Sequence, residues 1–316
     1  MEQKKIPVVA VVGPTASGKT ALAVSIAKQF DGEVVSADSM QIYKGMDIAT
    51  AKPSPEEMMG IPHHFLSFLE PAEPFSVADY AASAHRVIAE INSRGKLPIL
   101  AGGTGLYIDS VLEDIRFGET KHDMDLRREL IQFEEKHGAP SLWERLRGVD
   151  PEAAEKLHPN DTGRIIRAIE VYELTGIPMS EHRRKSRGES RYRVLKIGLS
   201  YRDREILYGK IERRVDQMIE QGLLKEAEAF FRMDRSKTAA QAIGYKELAG
   251  YFEGRLGLDE AVENLKRETR RYAKRQMTWF RKDSRIIWFY PDEKDYAEIE
   301  KNIYAYIDKF RKMCYD

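Results

Sequence analysis

Along the first 117 residues, short runs of consecutive apolar residues alternate with longer stretches in which apolar positions return every three or four. The short runs read as strands buried on both faces and the longer stretches as amphipathic helices, which predicts a parallel sheet with helices on both faces. Pro7 to Val12, Glu33 to Ala37 and Leu97 to Ala101 are the first three strands on this reading, and Ala21 to Phe30 is the first helix. From Phe117 to Arg193 the period turns helical throughout, over Asp125 to His137, Ser141 to Arg147, Pro151 to Leu157 and Thr162 to Thr175. Gly148, Pro151, Pro159, Gly176 and Pro178 mark the breaks. Val194 to Leu199 resumes the strand style. Helices are predicted from Asp203 to Gln221, around Leu223 to Phe231 and from Leu258 to about Lys282, followed by a buried strand over Arg285 to Tyr290 and a last helix. The expected class is therefore α/β: a parallel-sheet core in residues 1–117 and 194–316, interrupted by a helical insertion domain over 118–193.

An open α/β sheet binds its ligand beyond the carboxyl ends of the strands, so Gly13 to Thr20, Asp38 to Gln41 and Gly102 to Gly105 are expected to converge. The first of these, Gly13-Pro-Thr-Ala-Ser-Gly-Lys-Thr20, fits the phosphate-binding loop pattern. Gly13 and Gly18 let the backbone turn tightly enough for N–H groups of the segment, those of Thr15, Ala16 and Ser17 among them, to aim at one anion. Lys19 adds a point charge, and the Thr20 hydroxyl is a candidate ligand for Mg²⁺. The helix behind offers its positive end to the same anion. ATP-binding proteins share this loop, so it does not say which phosphate compound is held. A Gly-turn of purely structural use is the bland alternative.

At the second strand end Asp38 either caps the next helix or faces the bound compound as a base or metal partner. The chain then runs irregularly from Gly45 through Pro53 to His63-His64, and long irregular loops in compact domains are commonly functional. The two histidines point opposite ways on an extended chain and read as structural. The third strand ends in glycine, where many phosphate-loop ATPases and GTPases place an Asp for Mg²⁺. That weighs against a hydrolysing motor or switch and towards a small transferase, because Gly102, Gly103 and Thr104 let a substrate come close.

A chain of 316 residues with 42% hydrophobic and 32% charged residues is an ordinary globular protein. Its single cysteine, Cys314, excludes a disulfide framework and, without a Cys/His cluster at ligand spacing, a recognisable zinc site; it fits a cytoplasmic location. Glu2 and two lysines precede an apolar run of about seven residues, which predicts neither a signal peptide nor a membrane span. Net charge is zero, so nucleic-acid contact has to come from local patches. His182 to Arg193 holds six Lys/Arg against one Glu. In the long helix Arg267, Arg270, Arg271, Lys274, Arg275, Arg281 and Lys282 recur on one broad side, interleaved with Tyr272 and Trp279, and no acid falls between Thr269 and Lys282. Either patch reads as a solvated surface or as a contact for a phosphate backbone.

Together these residues carry a resemblance. Gly13-Pro-Thr-Ala-Ser-Gly-Lys-Thr20, Ser36-Ala-Asp-Ser-Met-Gln-Ile-Tyr43 and Asp47-Ile-Ala-Thr-Ala-Lys-Pro53 resemble the N-terminal motifs of the tRNA dimethylallyltransferase family, also called tRNA isopentenyltransferases. Gly102-Gly-Thr-Gly-Leu-Tyr107, Arg164-Ile-Ile-Arg-Ala-Ile-Glu170, Arg214-Val-Asp-Gln-Met218, Gly244-Tyr245 and Ala273-Lys-Arg-Gln276 continue it in the family's order. The resemblance implies transfer of a dimethylallyl group from dimethylallyl diphosphate to the exocyclic amine of the adenine just 3′ of a tRNA anticodon. It implies Asp38 as general base, Thr104 and Arg214 at the diphosphate, and Asp38, Ser39, Met40, Gln41 and Thr104 at the target adenine. Gly163, Arg164, Arg167, Gln241, Gly244, Tyr245 and Lys246 fall in segments that contact tRNA, and Arg270, Arg271, Lys274 and Arg275 are the candidates on the basic helix. It further implies Mg²⁺ as cofactor, the anticodon stem-loop and dimethylallyl diphosphate as partners, and a monomeric, bacterial-type enzyme without the C-terminal zinc finger of long eukaryotic members. A phosphate-loop kinase of small molecules or nucleotides, with Asp38 taking a hydroxyl proton, would account for the first 110 residues but not for the basic helix. An RNA-binding module that merely grips phosphate would leave Asp38 and Thr104 unused.

Overall fold

The computed structural model describes residues 5–115, 123–185 and 188–315. The chain divides into two compact units, Met1–Leu112 with Ser190–Asp316, and Glu113–Glu189. In the first unit the order is β1 (Ile6–Val12), α1 (Lys19–Phe30), β2 (Gly32–Ser36), α2 (Pro55–Met58), β3 (His63–His64), α3 (Val77–Ser93), β4 (Leu97–Gly102) and α4 (Gly105–Leu112). The second unit holds α5 (Met124–His137), α6 (Ala139–Val149), α7 (Pro151–Lys156), α8 (Thr162–Thr175) and α9 (Met179–Lys185). The first unit then resumes with β5 (Tyr192–Leu199), α10 (Arg204–Glu220), α11 (Leu223–Arg232), α12 (Ala249–Phe252), α13 (Leu258–Phe280), β6 (Ile287–Phe289) and α14 (Tyr296–Tyr315).

All six strands are parallel, in the order β3-β2-β4-β1-β5-β6. The alternation of side chains along β1 shows why both faces are covered. Val8, Ala10 and Val12 pack with Tyr80, Ala84 and Ile88 of α3 and Ile108 of α4. Val9 and Val11 face the other way, onto Leu22 and Ile26 of α1 and Ile303 and Ile307 of α14. A strand buried on both faces has no polar position to offer, which is why the run reads as continuously apolar. A third cluster joins Ile42, Tyr43 and Met46 to Leu223, Phe230, Tyr245 and Leu265, and so roots the loop after β2 against α11 and α13.

The second unit is built on Leu130, Leu142, Leu146, Ile165 and Ile169. Asp150 accepts from the N–H groups of Ala153 at 3.0 Å and Ser180 at 2.8 Å, tying α7 to α9. Among the described residues no helix is long and apolar enough to cross a membrane.

Two strands differ from the sequence reading. β6 covers only Ile287–Phe289 and is half-buried, because it sits at the sheet edge and pairs with β5 alone. At the other edge His63–His64 form a two-residue strand, too short to show a period. The expected joint at 117/118 and residues 186–187 of the basic run lie outside the described residues.

Candidate active site

Gly13 to Thr20 links β1 to α1. Gly13, at φ +147°, has no room for a side chain: a Cβ there would come within 2.2 Å of the Leu199 carbonyl oxygen. Gly18, at φ +91°, starts α1 without a side-chain cap, so the first N–H groups of the helix stay directed at the loop. Ala16 is also left-handed, at φ +61°. The Lys19 ammonium donates to Pro14 O at 2.5 Å. Burial, and then the nearby Arg214, bring its pKa down to about 7, against the pull of Asp38.

Residues after β2 form turns instead of a helix, so Asp38 has no helix to cap. Its Oδ1 accepts from the N–H groups of Met40 at 2.8 Å and Gln41 at 3.3 Å. Oδ2 has no hydrogen-bond partner among the described residues. Burial raises the carboxyl pKa, opposed by those two N–H groups and by Lys19 and Arg214. Arg214 comes from α10, its Nη1 3.4 Å from Thr15 Oγ1; burial lowers its pKa too. Lys19, Asp38 and Arg214 share the wall of one cavity of about 800 Å³ with Thr15, Gln41 and Gly103. Two half-buried cations and one half-buried carboxylate, beside a loop whose N–H groups from Ala16 to Lys19 are unpaired among the described residues, make a site for a multiply charged anion next to a carboxylate.

Gln276 on α13 joins two of the strand ends. Its Oε1 accepts the Thr15 N–H at 2.8 Å and its Nε2 donates to Gly103 O at 3.0 Å. A Cβ on Gly103 would fall 2.1 Å from that nitrogen, so the glycine is what lets the two segments meet. Thr104 stands outside the cavity wall. Its Oγ1 accepts the Ser39 N–H at 3.2 Å and its own N–H donates to Ala37 O at 3.1 Å, so it braces the turn that carries Asp38.

Comparison with known proteins decides the family. A family model described as IPP transferase matches residues 41–283. The chain belongs to the IPP transferase family. It is 50% identical over 307 residues to the tRNA dimethylallyltransferase of Caldanaerobacter subterraneus subsp. tengcongensis, covering 96% of this chain and 98% of that one. A solved structure described as the full-length tRNA isopentenylpyrophosphate transferase of Bacillus halodurans superposes with a TM-score of 0.74 at 44% identity, covering 98% of both chains. A eukaryotic dimethylallyltransferase acting on tRNA matches with a TM-score of 0.73 at 30% identity, over 87% of this chain and 69% of that one.

In this IPP transferase the other residues singled out by sequence are spread over both units. Ser39, Met40, Gln41, Gln241, Gly244 and Lys246 line the same cavity as Asp38. Tyr245 does not: at 0% exposure its ring stacks on Phe230 at 4.0 Å and its hydroxyl donates to Glu226 Oε1 at 2.8 Å, so its side chain belongs to the core. In the second unit Gly163 and Arg164 are exposed on α8, and Arg164 pairs with Asp161 at 3.0 Å. Arg167 is drawn inward, 3.4 Å from the fully buried Glu170, which Arg127 also meets at 3.2 Å.

The basic side of α13 is less free than its sequence suggests. Arg270 pairs at 2.5 Å with Glu212 of α10 and Arg271 at 2.6 Å with Glu268, acids that lie off the counted stretch. Lys274 and Arg275 are exposed and carry no ion pair among the described residues. Tyr272 lines the cavity, and Trp279 donates to Asp109 at 2.8 Å, so neither aromatic is a free stacking platform.

Two residues that line the cavity were not singled out as site residues. Gln276 lies in a motif the resemblance rests on, which was its signal. His63 lines the cavity with Nε2 buried and unpartnered among the described residues, and burial lowers its pKa; only its partner His64, 2.8 Å from Glu33, is structural in the sense expected.

Among the described residues no three or more His, Cys, Asp or Glu are grouped to hold a metal. The Thr20 hydroxyl lines the cavity, and Ser17 Oγ is buried without a partner. Mg²⁺ keeps several waters and takes one or two protein oxygens plus phosphate oxygens, so this donor set fits it once a diphosphate is present.

Proposed function

We propose that this chain transfers the dimethylallyl group of dimethylallyl diphosphate to the exocyclic amine of the adenine 3′-adjacent to a tRNA anticodon, releasing diphosphate. The observation that carries the reading is the meeting of Lys19, Arg214 and Asp38 around one cavity at the strand ends. Family membership supports transfer over phosphorylation, because the relatives named above are tRNA dimethylallyl- or isopentenyltransferases.

On this reading the diphosphate rests on the N–H groups of Ala16 to Lys19, the Thr15 N–H being held by Gln276, with Lys19 and Arg214 beside it. Breaking the allyl C–O bond builds negative charge on the leaving diphosphate. Cations already held in place and partly withdrawn from water stabilise that charge where it develops, with little reorganisation. Mg²⁺, held by the Thr20 hydroxyl and the diphosphate itself, would supply further charge neutralisation on the leaving group.

The amine that forms the new C–N bond has to lose a proton. Asp38 is placed to take it: Oδ1 is fixed by two N–H groups, Oδ2 is left open, and burial strengthens the carboxylate as a base. The adenine must leave its stack to enter such a cavity. Ser39, held by Thr104, flanks Asp38 as a recognition group for it, while the Gln41 amide is engaged with Ser36, Thr50 and Ala51. Lys274 and Arg275, exposed and without an ion pair among the described residues, are cations available to the tRNA backbone. The working unit is taken as a cytoplasmic monomer.

The test is to incubate the protein with unmodified tRNA, Mg²⁺ and either dimethylallyl diphosphate or ATP, then to digest the tRNA and analyse its nucleosides. A dimethylallyl adenosine formed only with the allylic diphosphate supports the reading; phosphorylated product with ATP and no prenylated nucleoside contradicts it.

A further inference from the structure

We propose that Glu226 of α11 is a positioning residue for the transfer: its carboxylate clasps the loop at Asp47, Ile48 and Ala49 and through that loop sets Gln41 beside Asp38. The inference rests on the reading of Asp38 as the base in this cavity.

One oxygen of Glu226 accepts the N–H groups of Asp47 at 2.9 Å and Ile48 at 2.7 Å; the other accepts the Ala49 N–H at 2.9 Å and the Tyr245 hydroxyl at 2.8 Å. Three consecutive backbone amides on one carboxylate repeat the way a protein loop grips an anion, with a side chain of the same chain as the anion. Hydrogen bonds to an ionised acceptor are about twice as strong as neutral ones.

The loop held in this way is closed on itself. Thr50 Oγ1 donates to Met46 O at 2.6 Å, the Ala51 N–H to Ile48 O at 2.9 Å and the Lys52 N–H to Asp47 O at 2.9 Å. Two of its carbonyls, Thr50 O and Ala51 O, each accept from Gln41 Nε2 at 3.2 Å. The Gln41 N–H in turn donates to Asp38 Oδ1. Hydrogen bonds and the short lengths of chain between them therefore connect α11 to Asp38, and Ala49, Thr50 and Ala51 line the cavity on the way.

A purely structural duty for Glu226 fits less well. The root of the loop is already packed through Ile42, Tyr43 and Met46, each at 0% exposure. What Glu226 adds is the place of the tip. Gly244, at φ +111°, lets the neighbouring segment press on that tip, since a Cβ there would lie 2.8 Å from the Ala49 side chain.

The experiment compares the full chain with Glu226→Ala, with Glu226→Gln, and with Glu228→Ala, a control on the same helix whose carboxylate meets only Arg232. Hydrogen exchange reads the amides of Asp47, Ile48 and Ala49, with those of β1 as reference. Single-turnover transfer is measured with both substrates saturating, and inorganic diphosphate is titrated separately. In Glu226→Ala the loop amides should exchange faster while β1 stays protected, transfer should slow by about 10- to 100-fold, and diphosphate affinity should stay within about twofold. Glu226→Gln should fall between, and Glu228→Ala should match the parent. If Glu226→Ala does not fold, Gln41→Ala cuts the same chain from its other end and should lose transfer with the loop amides still protected. Freed loop amides with parental transfer in Glu226→Ala would overturn the inference alone, as would unchanged exchange. A parent that forms no prenylated nucleoside would overturn the functional reading together with it.

Discussion

Replacing Gln276 by Leu tests whether α13 holds the phosphate-type loop in its working shape. Gln276 is 5% exposed, and the substitution nearly keeps its volume while removing the bonds to the Thr15 N–H at 2.8 Å and to Gly103 O at 3.0 Å. A backbone group left unsatisfied costs about 1–3 kcal/mol. The Thr15 N–H is half-buried beside the cavity and takes the lower figure, whereas Gly103 O is buried and takes the middle of the range, about 3 kcal/mol for the pair. In a chain of this length that lowers Tm by about 4 °C. The second effect falls on the ligand. With Thr15 released, the N–H groups that meet the diphosphate have to be ordered on binding, and kcat/KM for dimethylallyl diphosphate should fall by about tenfold or more. Thermal melts with and without inorganic diphosphate, followed by steady-state kinetics, read both effects on one preparation. A Gln276→Leu protein with the parental Tm and parental diphosphate affinity would refute the reasoning.

Lys19→Ala should weaken diphosphate binding and turnover together while leaving tRNA affinity alone, read by calorimetric titration and filter binding; normal turnover would remove the loop from the site. With Asp38 raised by burial and Lys19 lowered to about 7, kcat/KM should rise with pH as Asp38 loses its proton and fall again above about pH 7 as Lys19 loses its own. Bound diphosphate favours the charged lysine, so the alkaline limb of kcat should lie higher than that of kcat/KM, and profiles with no such offset would contradict the assignment. Changing Arg271, Lys274 and Arg275 to Ala should weaken tRNA binding and flatten its salt dependence by about one log–log unit per lost phosphate contact. Arg270→Ala should instead cost stability, because it leaves Glu212 without its cation.

What the sequence made legible follows from what decides each element locally. β1 and β4 are central strands whose apolar runs are unbroken, and α8 spans Thr162–Thr175 as its period and the following Gly176 predict. The edge strands β3 and β6 are too short or too exposed to carry such a signal. The strand ends at Gly13, Asp38 and Gly103 could be placed together because parallel connectivity puts the carboxyl ends of these neighbouring strands on one side of the sheet. Glu226 could not be found: an acid on an amphipathic helix reads as solvated, and its partners are backbone N–H groups, which leave no trace in residue type. The pairing of Arg270 with Glu212 was hidden for a related reason, since the packing of α10 against α13 is long-range. Tyr245 was misplaced because a motif marks a segment of chain and not the direction of each side chain in it.

The most direct measurement is single-turnover transfer of the dimethylallyl group to tRNA by Asp38→Asn, with a melting curve on the same sample. Asn keeps the size of Asp and an acceptor for the Met40 and Gln41 N–H groups, so the turn should survive and both substrates should bind. Only proton removal is lost. The account predicts a rate lower by about 10²- to 10⁴-fold at unchanged fold and affinity. Transfer within a few-fold of the parent would show that Asp38 is not the base.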